Sequence, residues 1–315
     1  MRAIIVERPG GVDSALLAGE LPSRDVSDHQ VRVRVEAAGV NPVDAGNRAD
    51  PSWAGIEAPF VVGYEFAGAV IEAGSSVEGV AVGDAVWGLL PVRGTRWGAY
   101  AEEVVCDQRF VARRPAELAA TEAAALPLAG VTATQLIDRL DPAPGEWILV
   151  HGAAGGVGHL LCQIAHARGA KVAAPARPRW HRFLRELGVG VIVDRHDPEA
   201  IRVARDRVGG DFAMVADLVG QGRLRDSLEV VAEGGRMGSI VELAGDLDEA
   251  IDRNVTLHGV LVKPGRGALD ALGQLVSTRG VRPVLDEVLT LEQAARAHRR
   301  VETGSGRGKV VLVVG

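Results

Sequence analysis

The 315-residue sequence predicts an α/β protein of two domains: a β-rich, barrel-like unit over residues 1–120 and a doubly wound parallel-sheet unit over 121–263. Residues 264–315 are expected to complete the first. Three observations carry this. Up to about residue 115 the chain reads as short strands between glycine-rich turns. From Glu146 onward, apolar strands alternate with helices, the pattern of a parallel sheet covered on both faces. Between the first strand and first helix of that series lies a run rich in glycine.

In the first unit, Met1–Glu7 reads as an opening strand and not as a signal peptide, because its apolar run is short and ends at Pro9 and Gly10. Val31-Arg32-Val33-Arg34-Val35 alternates strictly, as a half-buried strand does. Phe60–Ala73, Ala85–Trp87 and Tyr100–Cys106 follow as extended segments. Ala116–Ala125 favours helix, Pro127 is expected to interrupt it, and Val131–Leu140 resumes. In the second unit, strands are expected at 147–150, 171–174, 189–193, 212–218, 236–241 and 255–262. Helices are expected at 159–168, closed by Gly169, and at 180–187, closed by Gly188. The tail offers a helix at 269–278, a strand at 284–288, a helix at 291–301 and a strand at 309–314.

Composition narrows the function. With 47% hydrophobic and 24% charged residues the chain is no disordered segment. No apolar stretch approaches the roughly 18 residues of a membrane span. A net charge of −6 without a basic block argues against a nucleic-acid partner. The two cysteines, Cys106 and Cys162, make neither a CxxC pair nor a four-ligand zinc cluster. They suit a reducing, cytoplasmic setting.

The strongest motif is Ile148-Leu149-Val150-His151-Gly152-Ala153-Ala154-Gly155-Gly156-Val157-Gly158. A glycine turn between strand and helix is a dinucleotide fingerprint. Glycines at intervals of three permit a tight turn and close approach of a pyrophosphate, and the helix start turns free N–H groups toward it. Gly152, Ala154, Gly155, Gly156 and Val157 are therefore expected to cradle the cofactor. The tip of the next strand reads Ala176-Arg177-Pro178-Arg179. It lacks the acid that would accept from a ribose 2′-OH, whereas Arg177 and Arg179 suit a 2′-phosphate, so NADPH is the expected cofactor. His151 and His159, flanking the turn, are expected to frame it and not to act as acids.

These residues, with Ala37-Ala38-Gly39-Val40-Asn41-Pro42-Val43-Asp44, Val62-Gly63-Tyr64-Glu65-Phe66-Ala67-Gly68, Gly98-Ala99-Tyr100, Leu126-Pro127-Leu128-Ala129-Gly130 and Gly306-Arg307-Gly308-Lys309-Val310-Val311, are similar to the zinc-independent quinone oxidoreductase (zeta-crystallin-like) branch of the medium-chain dehydrogenase/reductase superfamily. The resemblance spans nearly the whole chain. It implies a GroES-like catalytic domain, a Rossmann domain, NADPH held in a cleft, and a homodimer paired through the last Rossmann strand. It implies Asn41 and Asp44 beside the nicotinamide, with Asn41 and Tyr64 as candidate catalytic groups. Thr132, Val219, Gly220, Gly238, Ser239, Ile240, Leu261 and Val262 are implied as further cofactor contacts. Zinc-dependent relatives carry a cysteine near position 41 and a histidine at position 64. Neither occurs here, so no metal is expected. A tyrosine common after the Asn-Pro-x-Asp motif is also missing.

The implied activity is hydride transfer from NADPH to a quinone or another conjugated double bond, whose extended π-system spreads the developing charge. The alternatives are an enoyl reductase acting on an acyl thioester or secondary-metabolite intermediate, and a cofactor-binding module with little turnover.

Overall fold

The computed structural model describes residues 1–315. Its first eight strands are β1 (Arg2–Val6), β2 (Leu16–Glu20), β3 (Gln30–Val40), β4 (Phe60–Val61), β5 (Glu65–Ala73), β6 (Ala85–Leu89), β7 (Glu103–Asp107) and β8 (Val111–Arg113). The next eight are β9 (Trp147–His151), β10 (Lys171–Ala176), β11 (Val191–Asp194), β12 (Phe212–Asp217), β13 (Val231–Ser239), β14 (Thr256–Gly259), β15 (Leu285–Thr290) and β16 (Lys309–Val313). The chain divides into two units, 1–131 with 263–315, and 132–262.

In the first unit, one sheet runs β15-β16-β3-β5-β6-β8, with β7 also paired to β3, and a smaller sheet runs β2-β1-β4. β3 is the spine. Val31, Val33 and Val35 are buried while Arg32 and Arg34 turn outward, as a strand with one wet face requires. The tail joins through β16, which runs antiparallel to β3 with Val310 opposite Val40 and Val313 opposite Ala37.

Two local expectations change. The boundary lies inside the helix Pro127–Leu140, later than residue 120, because the short helix Ala120–Ala124 buries Ala123 and Ala124 in the first unit. The helix Ala120–Ala124 does end before Pro127, and Pro127 itself opens the next helix, earlier than the expected Val131, since the first helical position needs no backbone N–H. A helix at Pro42–Ala49 escapes the apolar pattern because its inward residues include Asp44, Asn47 and Arg48.

The second unit is a six-stranded parallel sheet in the order β11-β10-β9-β12-β13-β14. In order of appearance this is 3-2-1-4-5-6, the doubly wound arrangement whose ligands gather at the carboxyl ends of the strands. Ile148, Leu149 and Val150 of β9 and Met214, Val215 and Ala216 of β12 are wholly enclosed, so these central strands read as continuous apolar runs. β13 begins earlier than expected, at Val231, and β14 is only Thr256–Gly259.

Candidate functional site

In the first unit, the end of β3 and the helix after it build a buried polar cluster. Asn41 caps the helix Pro42–Ala49, and the Asp44 carboxylate accepts the Asn41 backbone N–H at 2.7 Å, the return half of a capping box. The same Asp44 oxygen accepts from the Tyr100 hydroxyl at 3.1 Å. Asp44 is fully enclosed. Burial outweighs the hydrogen bond from Asn41 and the field of Lys309, and its carboxyl is pushed up to about 7. Asn47 donates to the Tyr64 hydroxyl at 2.6 Å and to the Val92 carbonyl at 3.1 Å. Burial raises the Tyr64 pKa above the usual phenol range.

The Asn41 side chain points the other way. Its amide N–H donates to Glu65 Oε1 at 2.7 Å, and its carbonyl accepts from Lys309 Nζ. Lys309 also contacts Glu65 Oε1 at 2.7 Å, and the second Glu65 oxygen accepts the Leu128 N–H at 2.7 Å, at the start of the helix Pro127–Leu140. Register explains the meeting. With Val310 opposite Val40 in an antiparallel pair, the next step back sets Lys309 across from Asn41. With Ala38 opposite Phe66, the same step sets Glu65 across from Gly39. Gly39 makes room, since a Cβ there would lie 2.2 Å from Glu65 Oε1 and 2.4 Å from the Ala124 carbonyl.

In the second unit, the glycine turn joins β9 to the helix Gly158–Ala167. Gly152 has φ +81°, a left-handed conformation that favours glycine. A Cβ on Gly158 would lie 2.1 Å from the Gly152 carbonyl oxygen, so the turn closes only with glycine there. No side chain caps the helix start. His151 is buried with Nε2 2.8 Å from Ser227 Oγ, and burial pushes it down to about 4. His159 is buried with Nδ1 2.9 Å from the Gly155 carbonyl. Both frame the turn.

The remaining strand tips lie along the same edge. Ala176 pairs with Asp194, so Arg177 and Arg195 leave adjacent strands, and the Arg195 N–H donates to the Ala176 carbonyl at 3.0 Å. Burial lowers the Arg195 pKa, and the charges of Arg177, Arg223 and Arg179 lower it further against the opposing pull of Asp194. The tips thus gather four cations. After β12, Asp217 Oδ1 accepts from the N–H groups of Val219 (2.9 Å) and Gly220 (3.0 Å). After β13, Ser239 Oγ accepts from the Val241 (3.1 Å) and Glu242 (3.2 Å) N–H groups.

Residues 27–116 match the family model described as "Alcohol dehydrogenase GroES-like domain" and residues 187–312 the one described as "Zinc-binding dehydrogenase". A 2-methylene-furan-3-one reductase of Solanum lycopersicum is 34% identical over 96% of this chain and 76% of its own length. The chain belongs to the medium-chain dehydrogenase/reductase superfamily. Among solved structures of the superfamily, an NAD-dependent alcohol dehydrogenase superposes with a TM-score of 0.93 at 30% identity, covering 100% of both chains. The quinone oxidoreductase from Coxiella burnetii superposes with a TM-score of 0.91 at 30% identity, covering 100% of this chain and 99% of its own.

As a member of this superfamily the protein is an oxidoreductase, and the superfamily uses a nicotinamide cofactor. The second unit fits such a dinucleotide: the turn is closed by glycines, and the helix N-terminus behind it has no side-chain cap. Of the expected contacts, Gly152, Ala154, Gly155, Gly156 and Val157 form the turn. Val219, Gly220, Gly238, Ser239 and Ile240 lie at or just past the ends of β12 and β13, and Leu261 and Val262 follow β14. Thr132 is buried on the helix Pro127–Leu140, and Asn41, Asp44 and Tyr64 lie together in the first unit.

No three His, Cys, Asp or Glu side chains stand close enough together to hold a metal ion. Arg48 pairs with Glu302 at 2.7 Å. Cys106 and Cys162 are buried, and burial pushes both thiols up to about 12, out of reactive range. Glu65 and Lys309 are site residues that the sequence motifs contained without assigning them a role, and Arg195 and Arg223 lie outside those motifs.

Proposed function

We propose that the protein is an NADPH-dependent reductase of quinones or other conjugated double bonds that works without zinc. The observation that carries this reading is the arginine cluster at the tips of β10 and β11, at the place where an NAD site holds a carboxylate. Guanidinium groups match a 2′-phosphate in charge and shape. The expected cofactor contacts along the strand tips, with Thr132, hold the rest of the dinucleotide. A bound reduced nicotinamide supplies the hydride. Asn41 donates a hydrogen bond to the acceptor oxygen as negative charge grows there, and Tyr64, tied to Asn47, belongs to the same polar wall.

An acceptor whose charge delocalises needs no Lewis acid, in keeping with tyrosine at position 64. The similarity to the 2-methylene-furan-3-one reductase of Solanum lycopersicum and to the quinone oxidoreductase from Coxiella burnetii supports this substrate class. The four-residue β14, at the open edge of its sheet, supports pairing with a second copy.

The test is kcat/KM for NADPH and NADH with 9,10-phenanthrenequinone, an alkyl enone and crotonyl-CoA, on protein assayed for zinc. NADPH preference with quinone or enone, in zinc-free protein, is expected. Preference for NADH, or turnover that requires stoichiometric zinc, overturns the reading, and activity confined to crotonyl-CoA transfers it to the enoyl reductase class.

A further inference from the structure

The Asn41 amide sits between a cation and an anion, both buried. Lys309 Nζ reaches Asn41 Oδ1, the Val40 carbonyl at 3.2 Å and Glu65 Oε1 at 2.7 Å. Glu65 Oε1 in turn accepts from Asn41 Nδ2 at 2.7 Å. Side-chain exposure is 2% for Lys309 and 0% for Glu65, so neither charge is relieved by bulk water.

The chemistry allows one arrangement. An ammonium has no acceptor and an ionised carboxylate no donor. A primary amide between them must present oxygen to Lys309 and nitrogen to Glu65. Rotating it by half a turn would set Nδ2 against the ammonium and Oδ1 against the carboxylate, two repulsive contacts in a buried site. Glu65 is itself held in place by the Leu128 N–H on its other oxygen. Of the two Nδ2 hydrogens one is committed to Glu65. The other is the donor that Asn41 has left to offer.

We propose that Lys309 and Glu65 are positioning residues: their opposite charges hold the Asn41 amide in a single orientation, so that it meets the substrate's acceptor oxygen with an N–H and not with its carbonyl. This rests on the reading of Asn41 as the group that polarises the acceptor. The rival role for the pair is purely structural, clamping β16 to the end of β3.

Single neutralisations do not separate the two roles, because each strands a buried charge. The double variant E65Q/K309M removes both. In it, the introduced glutamine amide must turn its carbonyl to the Leu128 N–H, leaving its NH2 group facing Asn41 and drawing the Asn41 carbonyl toward itself. The charge lock is gone and the amide preference is inverted. Should that variant fold poorly, E65Q/K309L makes the same change with a shorter side chain that offers no donor to Asn41.

Four measurements decide: the thermal midpoint, the NADPH Kd by fluorescence titration, kcat and KM with the best acceptor, and the Asn41 hydrogen-bond partners in a crystal structure of the double variant. Expected are a midpoint above those of both single variants, an NADPH Kd within twofold of wild type, a kcat at least tenfold lower, and an inverted Asn41 amide. In the Asn41→Ala background, the double change should leave kcat unaltered within twofold, because the pair acts through Asn41. A double variant with wild-type kcat, or an equal further loss in the Asn41→Ala background, assigns the pair a structural role and overturns the inference. Wild-type kcat in Asn41→Ala alone overturns the role given to Asn41 and the inference with it, whereas a reduced kcat there beside wild-type kcat in the double variant overturns the inference alone.

Discussion

His298 meets Tyr100 edge-on, with ring centroids 5.7 Å apart and planes at 77°, and neither imidazole nitrogen hydrogen-bonds to another protein group. Burial, reinforced by the charge of Arg48, pushes its pKa down to about 3. An unfolded chain takes up this proton below about 6.5. His298 therefore contributes stability that is fully present above that value and is lost as pH falls toward 3. Chemical denaturation at pH 7 and pH 5 should show His298→Phe losing less stability than wild type over this interval, by about 2 kcal/mol at most. Equal losses in the two proteins would contradict the assignment.

Asp44 pulls in the opposite direction. Its carboxyl is raised to about 7, chiefly by burial and further by Glu65, while the Asn41 N–H, Lys309 and Tyr100 oppose the rise. The folded state holds a proton that the unfolded state releases near pH 4, so stability is lost as pH rises between these values. Asp44→Asn keeps an acceptor for the Asn41 N–H and removes the buried charge. It is expected to be more stable than wild type at pH 8, by on the order of 1–4 kcal/mol, with the advantage shrinking toward pH 5. An advantage that grows toward pH 5 would have the wrong sign.

Gly39 and Gly46 make a matched pair for mutation. A Cβ at Gly39 would strike Glu65 and the Ala124 carbonyl, whereas one at Gly46, on the outer face of the helix Pro42–Ala49, meets nothing within 4 Å. Gly39→Ala should destabilise by about 1–3 kcal/mol or more, because enclosed backbone has little room to yield. Gly46→Ala should stabilise by roughly 0.5–1 kcal/mol through helix propensity. Thermal midpoints moving in the same direction for both would contradict the packing described.

The arginine cluster predicts a salt-dependent cofactor preference. Besides burial, the charges of Arg177, Arg223 and Arg179 lower the proton affinity of Arg195, so an anion among them relieves repulsion as well as gaining contacts. Partly exposed charges of this kind are screened within about 10 Å at 0.1 M salt. Between 50 and 300 mM NaCl, the Kd for NADPH is expected to rise several-fold more than that for NADH. Arg195→Ala is expected to narrow the difference, and parallel salt curves for the two cofactors would separate the cluster from the 2′-phosphate.

The sequence alone determined whatever depends on near neighbours along the chain. The strand, glycine turn and helix over 147–167 were legible because each feature acts on the next few residues: an apolar run, a residue free to take positive φ, a helix start. The alternation of Val31, Val33 and Val35 likewise marked which face of β3 is buried. The arginines after β10 were legible because the tip of that strand has a defined chemical task in a doubly wound sheet.

Tertiary structure decided which charges meet. The helix Pro42–Ala49 was hidden because its buried face carries Asp44, Asn47 and Arg48, polar groups whose hydrogen bonds run mostly to distant partners. Lys309 lies 268 residues from Asn41, and only the pairing of β16 with β3 brings its ammonium to the amide. Periodicity records which way a side chain faces, whereas strand register, fixed by the whole sheet, sets what it faces.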